Sequence, residues 1–415
     1  MMKQEEETES TLWRNRNFNI FWFGQTLSSL GDAFALIAVP LLVLEATGSV
    51  AQMGLVTATF SVGWLLSGIL AGAIVDKVDR RRLMIWCDVG RFLSFGAIPL
   101  GWTLWGPSMP LIYIATLIGS MLGMTFLAAN SAAVPNLVEA DEVVEANGRF
   151  QLTWAMSFVV GPVIAGFVSD WAGPLGAIWV NALSFLVSAV SIYFIKLRIP
   201  KPVVTDEKES VIDNMLAGVR YIWSQPVLKD FTITMFFVVM VLLSANDLFI
   251  YFLKTELGQD DSGVGLFFGI STLGAVIAGT YGPRIRKKWG FGISFLGAVV
   301  VEGIVMMMMG VMPTFVLTIF LGVLFQFAQR VRVVVMVSIR QELTPNHLLG
   351  RVTAAFLTLA AVPGPIGVAI ATGLAEHVGV RPVMVGVGMC AIVIAAIGTR
   401  TRANVAWPEL GFKGA

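Results

Sequence analysis

The chain has 415 residues, 56% of them hydrophobic and 13% charged, with a net charge of +1. Soluble domains carry roughly 25% charged residues, so most of this chain is not built to face water. A net charge this small argues neither for nor against nucleic acid, and what counts is where the charges sit.

The opening segment, MMKQEEETESTLWRNRNFN, is acidic and then basic. The apolar run behind it continues past Gly31 and Asp32 for a full span, which reads as a retained first helix rather than a cleaved signal. A helix needs about 20 mainly apolar residues to cross the hydrocarbon core. Twelve stretches qualify, at approximately 18–44, 50–75, 83–104, 109–134, 148–170, 174–196, 229–253, 263–283, 289–311, 314–339, 350–375 and 379–400. They are too long and too little alternating for barrel strands. The expected fold is an all-α membrane protein. The abundance of Gly, 42 residues, suits closely packed membrane helices.

Connections alternate in charge. Lys77, Arg80, Arg81 and Arg82 follow span 2, Lys196, Arg198, Lys201 and Lys208 follow span 6, and Arg284, Arg286, Lys287 and Lys288 follow span 8. Arg14 and Arg16 precede span 1, and Arg400 and Arg402 follow span 12. The opposite loops hold little beyond Lys254 and Arg381. This asymmetry predicts both termini on the cytoplasmic side of a cytoplasmic (inner) membrane. The longest polar stretch divides the chain into an N-terminal segment (1–17), a first bundle (18–197), a linker (198–228), a second bundle (229–401) and a tail (402–415). Within the linker, VIDNMLAGVRYIW (211–223) has apolar residues at helical spacing, either lying along the membrane surface or forming an ordinary amphipathic linker helix.

Cys87 and Cys390 lie in apolar runs and predict neither a disulfide nor a metal site, and only His347 and His377 are present. No Walker loop, dinucleotide Gly motif or metal-ligand cluster is visible, so neither a cofactor nor an enzyme activity is expected.

The two bundles echo one another. Gly31-Asp32-Ala33-Phe34 matches Asn246-Asp247-Leu248-Phe249, Asn147-Gly148-Arg149 matches Leu349-Gly350-Arg351, and Gly161-Pro162 matches Gly364-Pro365. The order is kept and the offset nearly constant, which predicts two parallel six-helix repeats with a binding site between them.

The loop GAIVDKVDRRRL (72–83) carries Gly72, Asp76, Lys77, Asp79, Arg80 and Arg81 at the positions of a loop motif. On that motif the chain resembles the major facilitator superfamily. GPVIAG (161–166) resembles the Gly-Pro core of the antiporter motif, although Phe158, Val159 and Val160 replace the Gly-rich stretch before it. RNRNFNIFWFGQTLSSLGDAF (14–34), TGS (47–49), VDRRRLMIWCDVGR (78–91), and P-N-L-V with A-N-G (135–148) are similar to macrolide-efflux drug:proton antiporters. The second-half counterpart of the loop, GTYGPRIRKKWG (279–290), lacks the Asp.

The resemblance implies the major facilitator fold, with spans 1, 7 and 10 lining a central cavity and span 9 away from it. Asp32 and Asp247 then become candidate proton-coupling or substrate residues, since burial disfavours a charged carboxylate and lets it exchange a proton as access alternates. Structural carboxylates, or ones binding a cationic substrate without titrating, are the alternatives. Glu302, midway along span 9, reads as structural or partly lipid-exposed. Arg330 and Arg332 point in different directions, one toward the cavity and the other toward the interface. Gln25, Asn246 and Gln326 are polar groups that suit a wet cavity, and the aromatic residues suit bulky amphipathic ligands. Asp88 and Arg91, at i,i+3, join Asp76, Arg80 and Arg81 in an expected cytoplasmic cluster with Arg149 and Arg351 at the incoming ends of spans 5 and 11. The resemblance implies that Asp76 latches onto the N-terminus of span 11; solvated positive-inside pairs are the plainer account. Gly161, Pro162, Gly364 and Pro365 are expected to bend spans 5 and 11.

The expected function is proton-driven export of amphipathic small molecules, macrolide-like or multidrug, by alternating access, from a monomer in the bilayer. A lysophospholipid flippase, a siderophore exporter or an uncoupled facilitator of the same fold are the alternatives.

Overall fold

A computed structural model describes residues 11–75, 78–139, 141–197, 211–312 and 314–405. Among these the regular structure is entirely helical: α1 (Arg16–Thr47), α2 (Val50–Val75), α3 (Arg80–Trp105), α4 (Met109–Ala133), α5 (Val143–Phe194), α6 (Val211–Ser224), α7 (Pro226–Leu242), α8 (Ala245–Thr255), α9 (Asp261–Val311), α10 (Phe315–Leu343), α11 (Leu349–Ala361), α12 (Gly364–Val378) and α13 (Val380–Gly398). Helices are the response of an apolar chain to hydrocarbon, because they satisfy each backbone N–H and C=O internally.

Ten helical rods among the described residues are long and apolar enough to cross a membrane. Two of them, α5 with 52 residues and α9 with 51, would each extend about 75 Å if straight, over twice the hydrocarbon thickness. Each turns back instead, at Gly173 (φ 74°) and Gly290 (φ 77°). These left-handed dihedrals reverse the rod without a loop, at positions that strongly favour glycine. Divided there, each rod becomes two antiparallel helical segments. Gly379, between α12 and α13, holds the same conformation (φ 87°) as Gly173, at the offset of the sequence repeats.

Two rods are interrupted in midspan. The seventh breaks between α7 and α8 at Leu243 and Ser244, and the eleventh between α11 and α12 at Val362 and Pro363. The breaks adjoin: a side chain on Gly364 would strike Leu243, and one on Gly367 would strike the backbone of Met240. Pro363 explains the second break by removing a backbone donor. Helix α5, in contrast, keeps helical dihedrals through Gly161 and Pro162, with its one departure at Gly173. Those two residues therefore do not break span 5, whereas Gly364 and Pro365 open α12.

Small residues set the packing. Gly24 and Gly31 of α1 lie on Ser191 and Ser184 of α5, and Gly303 of α9 crosses Gly388 of α13 almost backbone to backbone. Without a hydrophobic drive between helices in lipid, such close approach is the main source of association. Aromatic residues fill the second half, where Phe249 meets Phe325 at 5.2 Å and Phe231 meets Phe295 at 4.4 Å between ring centroids. Helix α6 is the amphipathic linker helix; its Gly218 abuts the Arg351 carbonyl and Ala355 of α11, so it docks on protein at that point.

The two chain halves meet at the end where α1 finishes and α2 begins. There Gly166 of α5 faces Gly265 of α9, Val163 covers Gly269, and Gly54 of α2 sits on Thr372 of α12. Nearby, the carboxylate of Asp260 caps α9, accepting from Gly263 N–H at 2.7 Å and from the Ser262 hydroxyl at 2.8 Å. Those bonds hold it below the usual carboxylate range. A Cβ on Gly265 would collide with the Pro162 carbonyl, while one on Gly386 of α13 would meet open space. Gly265→Val is therefore expected to lower the thermal midpoint in detergent, by a destabilisation of about 1–3 kcal/mol, and to impair transport. Gly386→Val should leave both unchanged; equal melting and transport for the two variants would contradict this packing.

Candidate functional site

Gln25 and Asp32 are about two helical turns apart on α1 and so share a face. Gln25 Nε2 donates to Ser188 Oγ of α5 at 2.8 Å, and Ser188 donates onward to Asp88 Oδ2 of α3 at 2.5 Å. Asp88 is fully buried. One turn further along α3, Arg91 forms an ion pair with Asp32 through Nη2, and its Nη1 lies 3.7 Å from Asp88 Oδ1. The guanidinium also covers the Phe185 ring, 3.8 Å from its centroid. Two carboxylates thus share one arginine. They differ in access: the Asp32 side chain is 44% exposed, whereas that of Arg91 is 8% and that of Asp88 0%. Several buried atoms here have no hydrogen-bond partner among the described residues, namely Asp88 Oδ1, Arg91 Nε and both amide atoms of Asn181.

Asp88 and Arg91 were expected in a cytoplasmic loop cluster; the structure places them instead inside the first half, against Asp32. Helix α3 starts at Arg80, so residues 88 and 91 are two to three turns into the span, out of reach of the loop.

In the second half, Glu302 of α9 pairs with Arg332 of α10 at 2.8 Å, and Arg332 Nη1 lies 3.8 Å from the Met235 sulfur of α7. Glu302 is completely buried, which removes the partly lipid-exposed reading and leaves the structural one. Arg332 is buried too, so it does not reach for the interface; Arg330, two residues earlier, is exposed. The helical rotation that separates residues two apart explains the difference. Asp247, in the first turn of α8, is buried, and its Oδ1 accepts a hydrogen bond at 2.8 Å from Thr57 of α2, in the other half. Its Oδ2 has no hydrogen-bond partner among the described residues. Asn246 beside it is exposed and Gln326 is half-buried.

A second link joins the halves near Thr57. Glu376 Oε2, in the last turn of α12, accepts from Ser49 Oγ at 2.6 Å and from Ala51 N–H at 2.8 Å. It thereby caps the start of α2, where unpaired amides and the positive end of the helix dipole favour an anion. All of these cross-half bonds lie on the α2 end that faces away from the loop motif.

At the other end of α2, Gly72 lies within the helix, and Asp76 and Lys77 lie outside the described residues. Arg80 donates to the Ala132 carbonyl at 3.0 Å, and Arg81 to the carbonyls of Ile192 (3.0 Å) and Tyr193. These arginines cap the C-terminal ends of α4 and α5, which bear partial negative charge, within their own half. Arg149 pairs with Glu145 at 2.7 Å and covers the Trp13 ring, and Arg351 stands in the first turn of α11. Thr57, Ser188 and Glu376 were not foreseen. Hydroxyl residues are scattered through many spans and are mostly bonded to their own helix, and an acid in a final helical turn reads as solvated.

The family model described as Major Facilitator Superfamily matches residues 21–368. The chain belongs to the Major Facilitator Superfamily. It is a membrane transporter, not an enzyme. Among similar proteins is the multidrug efflux pump Tap of Mycolicibacterium fortuitum, 23% identical over 387 residues, covering 90% of this chain and 93% of that protein. Another is the enterobactin exporter EntS of Escherichia coli, 23% identical, covering 86% and 85%. The crystal structure of the nucleoside transporter NupG shares the fold, with a TM-score of 0.75 at 13% identity, covering 93% of this chain and 98% of that one.

Two outcomes follow from the geometry. Arg332→Met leaves Glu302 buried without its countercharge and should cost about 3–5 kcal/mol of stability, whereas Glu302→Gln/Arg332→Met should recover most of it; melting curves in detergent decide, and a double variant no better than the single contradicts the pairing. Glu376→Gln weakens the cap on α2, so a cysteine replacing Thr57 should react faster with a membrane-impermeant thiol reagent in that background than beside wild-type Glu376. Unchanged labelling would mean that the cap does not hold the halves together.

Proposed function

We propose that the chain exports amphipathic small molecules, macrolide-like or multidrug, in exchange for protons, by alternating access between two six-helix bundles (18–197 and 229–401). The reading places it in the cytoplasmic membrane, with both termini cytoplasmic as the basic connections require. On that orientation the end where Glu376 and Asp247 hold α2 is the outer end, drawn together here.

The observation that carries the reading is the pair of acids on the repeat positions. Asp32 is half-exposed beside a buried arginine, and Asp247 is sealed against Thr57 at the junction of the halves. A carboxylate placed where the halves part meets water in one state and protein in the other, and burial disfavours its charge. Closing the outer end over Asp247 is then favoured once the acid has taken a proton, which links the proton gradient to the rocking of the bundles. Arg80, Arg81, Arg149 and Arg351, with Gly72, Asp76 and Lys77, belong to the inner ends of the bundles, where Asp76 is proposed to latch onto α11 when that side closes.

The similarity to Tap supports a multidrug range. The similarity to EntS favours a second reading, export of a siderophore.

Accumulation of drugs and dyes in cells lacking other pumps tests the proposal. Expression should lower accumulation, a protonophore should abolish the effect, and Asp32→Asn/Asp247→Asn should reduce extrusion by about tenfold or more. Extrusion that keeps its dependence on a pH gradient in the double variant would remove both acids from the coupling.

A further inference from the structure

The proposed function leaves Asp88 without a role. It is fully buried in α3, away from the surface that Asp32 presents, and it keeps one oxygen without a hydrogen bond. A fully buried carboxylate oxygen left without a hydrogen bond is costly. The arrangement around Arg91 indicates a role. Arg91 is engaged with Asp32, yet Asp88 Oδ1 lies only 3.7 Å from its Nη1, just beyond hydrogen-bond length. Ser188 holds the other oxygen of Asp88 at 2.5 Å, so the free oxygen stays turned to Arg91. The guanidinium lies over the flat Phe185 ring, and the α4 backbone beside it is Gly123, with no side chain to obstruct it.

We infer that Asp88 is the reserve partner of Arg91, and that the site is thereby selective for cargo carrying a single positive charge. With both acids ionised, the three groups sum to one negative charge. A cationic cargo approaching from the exposed side meets Asp32 first. It displaces Arg91, which shifts by less than the width of one atom to make a full hydrogen bond with Asp88. The site then holds two carboxylates and two cations and is neutral. Without Asp88, the same displacement would strand a buried guanidinium, so the arginine would keep Asp32 and exclude the cation. Neutral molecules of similar size gain nothing from the exchange, and anions are opposed by the net negative charge. Asp88 acts through Arg91 and touches no cargo; it is a positioning residue. The inference rests on the reading of Asp32 as the cargo-facing acid and adds the charge class of the cargo.

Equilibrium binding to the purified full chain in lipid nanodiscs tests it, with tetraphenylphosphonium as the cation and triphenylphosphine oxide as the neutral probe. Asp88→Asn should weaken the cation by about tenfold or more, with the neutral probe unchanged. Asp88→Glu should retain cation binding, and Asp88→Asn/Arg91→Gln, which removes both the arginine and its reserve, should restore it. If Asp88→Asn does not fold, Arg91→Gln alone carries the test: freed of its competitor, Asp32 should bind the cation more tightly than in wild type, again with the neutral probe unchanged. Wild-type cation affinity in Asp88→Asn, or no recovery in the double variant, overturns the inference while leaving Asp32 as a cargo residue. Wild-type cation affinity in Asp32→Asn overturns the underlying reading instead.

Discussion

A charge in hydrocarbon has to find a partner, and the arrangement of this protein's interior follows from that constraint. The clearest case is Arg91, whose one guanidinium serves Asp32 and Asp88 and rests on Phe185. Glu302 and Arg332 solve the same problem in the second half with a closed pair. The difference between them is informative. Glu302 and Arg332 are both sealed, so their pairing is a fixed strut between α9 and α10. In the first half one carboxylate reaches the surface, and the arginine behind it has a second acceptor within reach. A closed pair stabilises a bundle; an open triad can exchange partners.

Helix ends supply the remaining electrostatics. Asp260 caps α9, Glu376 caps α2 from the opposite half, and Arg80 and Arg81 hold the C-terminal ends of α4 and α5. Each uses the partial charge that an α-helix leaves at its termini. Of these, only the Glu376 cap crosses between the halves. Together with the Asp247–Thr57 bond and the glycine crossing of α5 on α9, it makes one end of the molecule continuous. Buried apolar side chains of both halves, among them Val50, Met53, Val264 and Phe268, pack around these contacts in one core.

Much of this was legible in the amino-acid sequence. Span positions follow from hydropathy alone, because a bilayer admits few solutions for a long apolar segment. The repeat of Gly31-Asp32 and Asn246-Asp247 marked the two acids, since an ionisable group inside a span is conspicuous. The roles of Asp88 and Arg91, and the partner of Glu302, were not legible. Spacing along one helix shows that Asp88 and Arg91 share a face, but not that Asp32 of another helix waits opposite them. Nor does it decide between the two readings of Glu302, structural or partly lipid-exposed, which its enclosure with Arg332 resolves in favour of the first. Likewise Gly161-Pro162 and Gly364-Pro365 look alike in sequence, yet only the second pair stands at a break in its helix.

The sequence by itself determined that the chain is a helical membrane protein of the Major Facilitator Superfamily, where its spans run, and which residues are out of place in lipid. Those are properties of single helices and of one loop motif, and local chemistry dictates them. Which groups pair is a matter of how the helices pack: Arg91 with Asp32, Thr57 with Asp247, Glu376 with the start of α2. Such pairings join residues dozens to hundreds of positions apart, and they depend on helix rotation and crossing points that small residues set through close packing. No periodicity along a single chain records that geometry.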